Sequence, residues 1–317
     1  MTRVGRDTSP GPDGVLVVDK VTGPTSHDAV TAARRLLRTR RVGHTGTLDP
    51  LASGVLALVV GRATRLARFL SEGPKVYDAR VRLGATTETD DAQGTPVLRD
   101  GSLPSLADVE AALPRFVGRQ LQRPPAYSAK KVQGIRAYTL ARASIEPALA
   151  PAEVEVHAIA VHTWTQETLD LNITCSKGFY VRAFARDLGE ALGCGAYLLG
   201  LRRTRSGEFG LDQAVRLHEL DESSAPGKLL PLGALLTELP TAELSPSDAV
   251  RISHGATISA GGVLRWLPPA STSVREGPGD RSTFVRLTNT EGELLGVALL
   301  EAGTGPALPL HPQVVLV

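Results

Sequence analysis

The chain is short of cysteine, methionine and aromatic residues: two Cys, one Met, and 4% Phe, Trp and Tyr in 317 residues. Cys175 and Cys194 are too few for a disulfide framework. With no CxxC pair or Cys/His cluster, they do not frame a zinc site either. No stretch is long and apolar enough to span a bilayer. The start, Met1 to Pro10, lacks the apolar segment of a signal peptide. Residues 1–13 are therefore expected to form a flexible tail, and a reducing cytoplasm fits these absences. The chain also lacks a P-loop, since no Lys-Ser/Thr follows its glycines. No internal repeat is visible.

Net charge is small, +2, with 21% charged and 42% hydrophobic residues. Its distribution is more informative. Residues 1–70 hold eleven Lys and Arg against five Asp and Glu, whereas residues 241–317 hold five against seven. A basic N-terminal segment suits contact with nucleic acid or phosphate, and it also suits an ordinary solvated helix face.

Within that segment lies Gly43-His44-Thr45-Gly46-Thr47-Leu48-Asp49-Pro50-Leu51-Ala52-Ser53-Gly54. One carboxylate sits among glycines, hydroxyls and a proline. Arg34, Arg35, Arg38, Arg40 and Arg41 precede it, and the apolar run Val55–Val60 follows. Glycine and proline bend the backbone, and an apolar run anchors the bend in a core. Two readings fit: an acid presented to a polyanionic substrate, or a turn whose Asp-Pro starts the next element.

Periodicity predicts strands over 15–20, 51–60, 77–83, 153–164 and 168–175. It predicts helices over about 27–38 with Ser26 as N-cap, 63–70, 106–116, and 180–192 ending at Gly193. Residues 118–152 mix prolines, basic residues and Tyr127 with little core periodicity, so they read as a mobile surface excursion. Residues 238–246 read as a linker. Beyond it, strand signals at 256–258, 263–266, 283–287, 294–300 and 314–317, around a polar loop at 269–280, predict a small β-rich domain.

Seven blocks in one order give a more specific signal. They are Val18-Asp19-Lys20 with Gly23 to Asp28, Gly43 to Gly54, Gly61 to Arg65, Lys75-Val76-Tyr77, Pro124 to Lys130 with Gly134 and Tyr138, Cys175 to Arg182, and Leu201 to Gly207. Over most of its first 240 residues the chain resembles the TruB-type tRNA pseudouridine-55 synthases. Arg65, where that family often has lysine, and Val21, in place of a common proline, are the departures.

The resemblance implies an α+β fold. A mixed, largely antiparallel sheet with flanking helices and a central RNA-binding cleft would span residues 14–240, with 118–152 as a mobile RNA-binding insertion. A β-rich, PUA-like RNA-binding domain would span 247–317. It implies isomerisation of a T-loop uridine of tRNA, with no cofactor, no metal, no guide RNA and no obligate protein partner, by a monomer. By matched position, Asp49 is the catalytic aspartate, Arg182 pairs with it, and Tyr77 stacks on the target base and helps remove its C5 proton. His44 sits in the loop that displaces bases of the T loop, Leu201 belongs to the active-site wall, and Tyr180 matches another active-site aromatic.

Phosphate contacts are expected from Arg34 to Arg41, Lys130, Lys131, Arg202, Arg203 and Arg205, and Arg65 is expected to take part in substrate binding. The alternative is a tRNA-binding or folding module with secondary or lost catalysis. Binding alone does not require Asp49, Tyr77 and Arg182 together.

Overall fold

The run Val55–Val60 is no more than 1% exposed at any residue because its strand is covered on both faces. Leu56, Leu58 and Val60 join one core with Leu16 and Val18, while Val55, Ala57 and Val59 join a second with Val15 and Val17. Two-sided burial explains why these strands read as continuous apolar runs without alternation. The computed structural model describes residues 11–99, 102–128, 130–132, 134–143, 145–270, 283–301 and 308–316, with backbone alone at Lys131 and Arg136.

In chain order the first sheet and its flanking elements are β1 (Gly14–Lys20), α1 (Ser26–Leu36), β2 (Val42–His44), β3 (Ala52–Val60), α2 (Ala67–Leu70) and β4 (Lys75–Leu83). There follow the pair β5 (Ala85–Thr86) and β6 (Val97–Leu98), α3 (Leu106–Ala112), β7 (Gly118–Gln122), the pair β8 (Lys131–Val132) and β9 (Ile135–Arg136), and α4 (Ala137–Arg142). Then come β10 (Ala152–Trp164), β11 (Thr168–Cys175), α5 (Val181–Ala191), β12 (Ala196–Ser206) and β13 (Phe209–Gly210).

The large sheet has the order β1-β3-β12-β4-β11-β10-β7, with β2 on β3 and β13 on β12. All its pairs are antiparallel except β3 with β12. Register places Gly54 of β3 opposite Arg203 of β12, and Arg203 opposite Tyr77 of β4. The start of β3, where the Asp49 loop enters, is therefore separated from Tyr77 only by Arg203 of β12.

The second sheet has six strands: β14 (Thr241–Glu243), β15 (Ile258–Ser259), β16 (Arg265–Leu267), β17 (Thr283–Thr288), β18 (Leu294–Leu300) and β19 (Pro309–Val315). With α6 (Pro246–Ser253) it forms the expected β-rich C-terminal domain around Ala242, Ile252, Val285 and Leu310. Its other face is not free. Leu294, Val297 and Leu316 share a core with Val55, Val59 and Leu66 of the first domain.

Several expectations need correction. The linker at 238–246 contains β14, which pairs with β16 and β17, so the second sheet begins at Thr241. Residues 63–70 are not one α-helix: a 3-10 turn over Gly61–Leu66 precedes the four-residue α2. The 106–116 helix leaves α geometry at Leu113, one residue before Pro114, and continues as 3-10 to Phe116. Thr25, not Ser26, caps α1, in a reciprocal capping box with Asp28. Residues 118–152 are not a structureless excursion, because β7 pairs along β10 from Gly118 to Gln122. Asp13 is not loose tail either: its carboxylate accepts from the Arg62 backbone N–H and Nε, both at 2.6 Å. Residues 1–10, and 271–280 of the polar loop, lie outside the described residues.

Candidate active site

Asp49 stands on the loop that joins β2 to β3, and three contacts make that loop stiff. The Ser26 hydroxyl, buried in α1, accepts from the Leu48 N–H at 2.8 Å and donates to the Leu48 carbonyl at 2.9 Å. The Ala52 N–H donates to the Asp49 carbonyl at 3.0 Å. Arg203 donates through Nη2 to the Gly46 carbonyl at 3.0 Å. Both flanks of Asp49 are thus tied to sheet and helix while its side chain stays about a third exposed.

Arg182, in the first turn of α5, faces the loop and is 4% exposed. Its Nη1 and Nη2 donate to the carbonyls of Thr89 (3.1 Å) and Tyr127 (2.9 Å). Its Nε lies 2.9 Å from Asp49 Oδ2 and 3.6 Å from Asp91 Oδ2. The Nε–H is not aligned for a hydrogen bond, so these contacts are ionic rather than directional. Asp91 is 2% exposed, and its Oδ1 accepts from Thr89 Oγ1 (2.7 Å) and the Gln93 N–H (3.0 Å). One guanidinium therefore serves two carboxylates, a fixed buried one and a half-open one.

The cleft around Asp49 has a volume of about 330 Å³ and is lined by Tyr77, Tyr180, Arg182 and Leu201, with Ser128 at its edge. Tyr77 is 8% exposed. Burial pushes its hydroxyl above the ordinary tyrosine range, and the Arg203 charge opposes that shift. Tyr180 is raised too, chiefly by burial. Both phenols are neutral at physiological pH and offer an aromatic face and an O–H, not a phenolate. The start of α5 has no side-chain cap of its own. Instead the Gln122 amide of β7 accepts from the Tyr180 N–H at 2.8 Å and donates to the Tyr180 carbonyl at 3.0 Å.

Of the residues singled out from the sequence, Asp49, Tyr77, Tyr180, Arg182 and Leu201 meet in this cleft. His44 lies outside its lining, on β2 of the same loop. Burial, Arg203 and His27 hold its imidazole below the ordinary histidine range, so it is neutral. Arg65 is elsewhere: its Nη1 donates to the Val315 carbonyl at 2.6 Å, beside Arg62 on the Leu316 carbonyl, and both fasten the C-terminal sheet.

Arg34 is turned inward onto the Val42 carbonyl, Arg38 ion-pairs with Glu222, and Arg202 with Asp19. Arg203 is 2% exposed and out of reach of any phosphate. Arg35, Arg40, Arg41, Lys130 and Arg205 are exposed. The backbone of Lys131 is in β8, and its side chain lies outside the described residues. Sequence reading missed Asp91, Gln122 and the inner role of Ser26. Asp91 carried no local signal, since it lies between β5 and β6, far from Arg182 in the chain.

A second cleft, of about 410 Å³, is lined by Glu88, Asp90, Asp187 and Glu190 with Arg123 and Arg186, an acidic surround unsuited to RNA. Among the described residues no group of His, Cys, Asp and Glu could hold a metal ion. No helix among them is long and apolar enough to cross a membrane.

A carboxylate on a stiff loop with an arginine behind it and two neutral phenols beside it is suited to acid–base or nucleophilic chemistry on a bound ring. Comparison with known proteins defines the class more closely. The family model for the TruB family pseudouridylate synthase N-terminal domain matches residues 34–181, and that for the tRNA pseudouridylate synthase B C-terminal domain matches 182–237. The tRNA pseudouridine synthase B of Cupriavidus metallidurans is 42% identical over 295 residues, covering 92% of this chain and 91% of the relative. That of Solibacter usitatus is 41% identical over 311 residues, covering 96% and 100%. An archaeal box H/ACA Nop10-Cbf5 complex contains a chain of the same fold, with a TM-score of 0.71 at 24% identity over 97% of this chain and 87% of that one.

The protein is thus a pseudouridine synthase, an isomerase that acts on RNA. It belongs to the TruB family, and it isomerises uridine to pseudouridine in tRNA.

Proposed function

We propose that the uridine converted is position 55, in the T loop, and that Asp49 is the carboxylate on which the reaction depends. The observation that carries this reading is the meeting of Asp49, Tyr77 and Arg182 in one cleft. The substrate uridine leaves its stack, at a cost of a few kcal/mol. The ring of Tyr77 offsets about 1–3 kcal/mol of that by stacking. Neutral His44, on the Asp49 loop, fills the space that the base leaves.

Asp49 then drives cleavage of the C1′–N1 bond, with Arg182 as its counter-charge. The freed uracil turns and forms the C1′–C5 bond. C5 loses its proton and N1 gains one, so the product is an isomer and no redox equivalent is consumed. Tyr77, held neutral by burial, assists as a proton relay and not as a phenolate. Tyr180 and Leu201 close the wall of the cleft.

Arg35, Arg40, Arg41, Lys130, Lys131 and Arg205 contact phosphates, and the 118–152 segment tightens over the RNA. Residues 247–317 act as a PUA-like domain that adds RNA contacts. Arg65 and Arg202 serve RNA binding only indirectly, through the groups they already hold. The chain works in the cytoplasm as a monomer, without guide RNA or protein partner.

The test is to incubate the purified chain alone with an unmodified tRNA transcript and map pseudouridine by chemical probing. Product at the T-loop uridine is expected. Product at another uridine, or none until another component is added, contradicts the proposal.

A further inference from the structure

Arg203 is the largest fully buried side chain of the described residues, 2% exposed at the centre of the sheet. Among those residues no carboxylate pairs with it. Its charge is met mainly by backbone: Nε donates to the Val55 carbonyl at 2.7 Å, Nη2 to Gly46 at 3.0 Å and Nη1 to Thr47 at 3.4 Å, with the Tyr77 hydroxyl as a side-chain partner. Burying a cation without a counter-ion is unfavourable, and an apolar side chain of similar length would fill the site without that cost. The carbonyls it gathers are not random. Gly46 and Thr47 belong to the loop that presents Asp49, and Val55 to the strand that follows.

Register sets the same residue opposite Tyr77 on β4 and opposite Gly54 on β3. At Gly54, φ is +98° and a Cβ would come 2.1 Å from the Arg203 carbonyl oxygen. The two strands are therefore held at a separation that only glycine permits.

We propose that Arg203 is a positioning residue for the isomerisation: an internal cation that clamps Gly46 and Thr47 to β3 and stands beside Tyr77, so carboxylate and phenol keep one relative placement. This inference rests on the catalytic reading of Asp49 and Tyr77. A loop that enters folded RNA is loaded each time a base is displaced. A charge-assisted clamp on its carbonyls, inside the protein where water cannot compete, resists that load. Arg182 holds Asp49 from the cleft side, and Arg203 holds its loop from within the sheet.

Arg203→Met and Arg203→Lys are compared with the wild type and Asp49→Asn for tRNA affinity and for single-turnover pseudouridine formation. Both Arg203 variants should bind tRNA as the wild type does. The Met variant should turn over slower by about 10²-fold, the loss that a misplacement of roughly 1 Å produces. The Lys variant, which keeps the charge, should lie between. A Met variant with the wild-type rate, or rate and affinity falling together with no recovery in Lys, overturns the proposal.

If the variants do not fold, the guanidinium ¹⁵N resonances of Arg203 in the wild-type chain decide. They should be protected from exchange and should shift in Tyr77→Phe, whereas unprotected or unmoved resonances overturn it. An active Asp49→Asn would instead sink the catalytic reading on which this one stands.

Discussion

Removing one oxygen atom, in Ser26→Ala, should loosen the Asp49 loop from a distance. Ser26 is 3% exposed, and its hydroxyl serves both backbone groups of Leu48, itself 3% exposed. Alanine keeps the helix but leaves a buried N–H and a buried C=O without partners. Each orphaned group costs about 1–3 kcal/mol, and together with relaxation of the loop we expect a loss of about 2–4 kcal/mol. For a chain of this size that is a fall in Tm of roughly 3–6 °C. Thr25→Ala is the control, because it removes only the exposed cap, worth about 1 kcal/mol. Urea unfolding gives the free energies, and single-turnover kinetics should show slower product formation, since Leu48 immediately precedes Asp49. A Ser26→Ala protein within about 0.5 kcal/mol of the wild type would refute this account of the loop, because orphaned buried groups cannot be that cheap.

Asp91→Asn should slow single turnover by on the order of 10- to 100-fold with tRNA affinity retained, since Arg182 loses its fixed carboxylate and shifts against Asp49. Wild-type turnover would exclude the shared guanidinium. Tyr77→Phe should keep RNA binding and depress turnover, and an unchanged rate would remove the hydroxyl from the reaction. Lys20, buried and donating to the Ala52 and Val21 carbonyls, has its pKa lowered to about 8, chiefly by burial, with Asp49 and Asp28 opposing and Arg203 adding to the shift. Between pH 8 and its unfolded value near 10.5 the unfolded chain binds the extra proton. Wild-type stability should therefore rise with pH through that window relative to Lys20→Met and be flat below it, as thermal melts across the range would show; a falling difference would contradict the sign.

The elements that could be read in advance were those whose local pattern and tertiary environment agree. The alternating 77–83 segment is a strand with one buried face, and Gly193, at φ +72°, ends α5 where a left-handed residue is needed. At Thr25-Ser26 two adjacent hydroxyls competed for the cap. Asp28, three residues after Thr25, marks the true one, and freeing Ser26 lets it face Leu48.

Arginines were the hardest residues to interpret, because a run of positive charge says nothing about which guanidinium turns inward. Arg34, Arg65 and Arg203 all donate to backbone carbonyls, where solvent-facing substrate contacts had been expected. Asp91 was invisible because it meets Arg182 only once the segment between β5 and β6, bridged to Leu198, is brought beside α5. Thr241–Glu243, flanked by prolines, looked like a linker, yet it pairs on both sides. Three residues are too few to show a period.

The central claim is that the Asp49 carboxylate, and not RNA binding by the surrounding surface, makes the protein an isomerase. Asp49→Asn changes one oxygen to nitrogen at a site that is still partly open, so the fold and the basic surface remain. Its affinity for unmodified tRNA should match the wild type while pseudouridine at the T-loop uridine is absent. Product formed by Asp49→Asn at the wild-type rate would contradict the account.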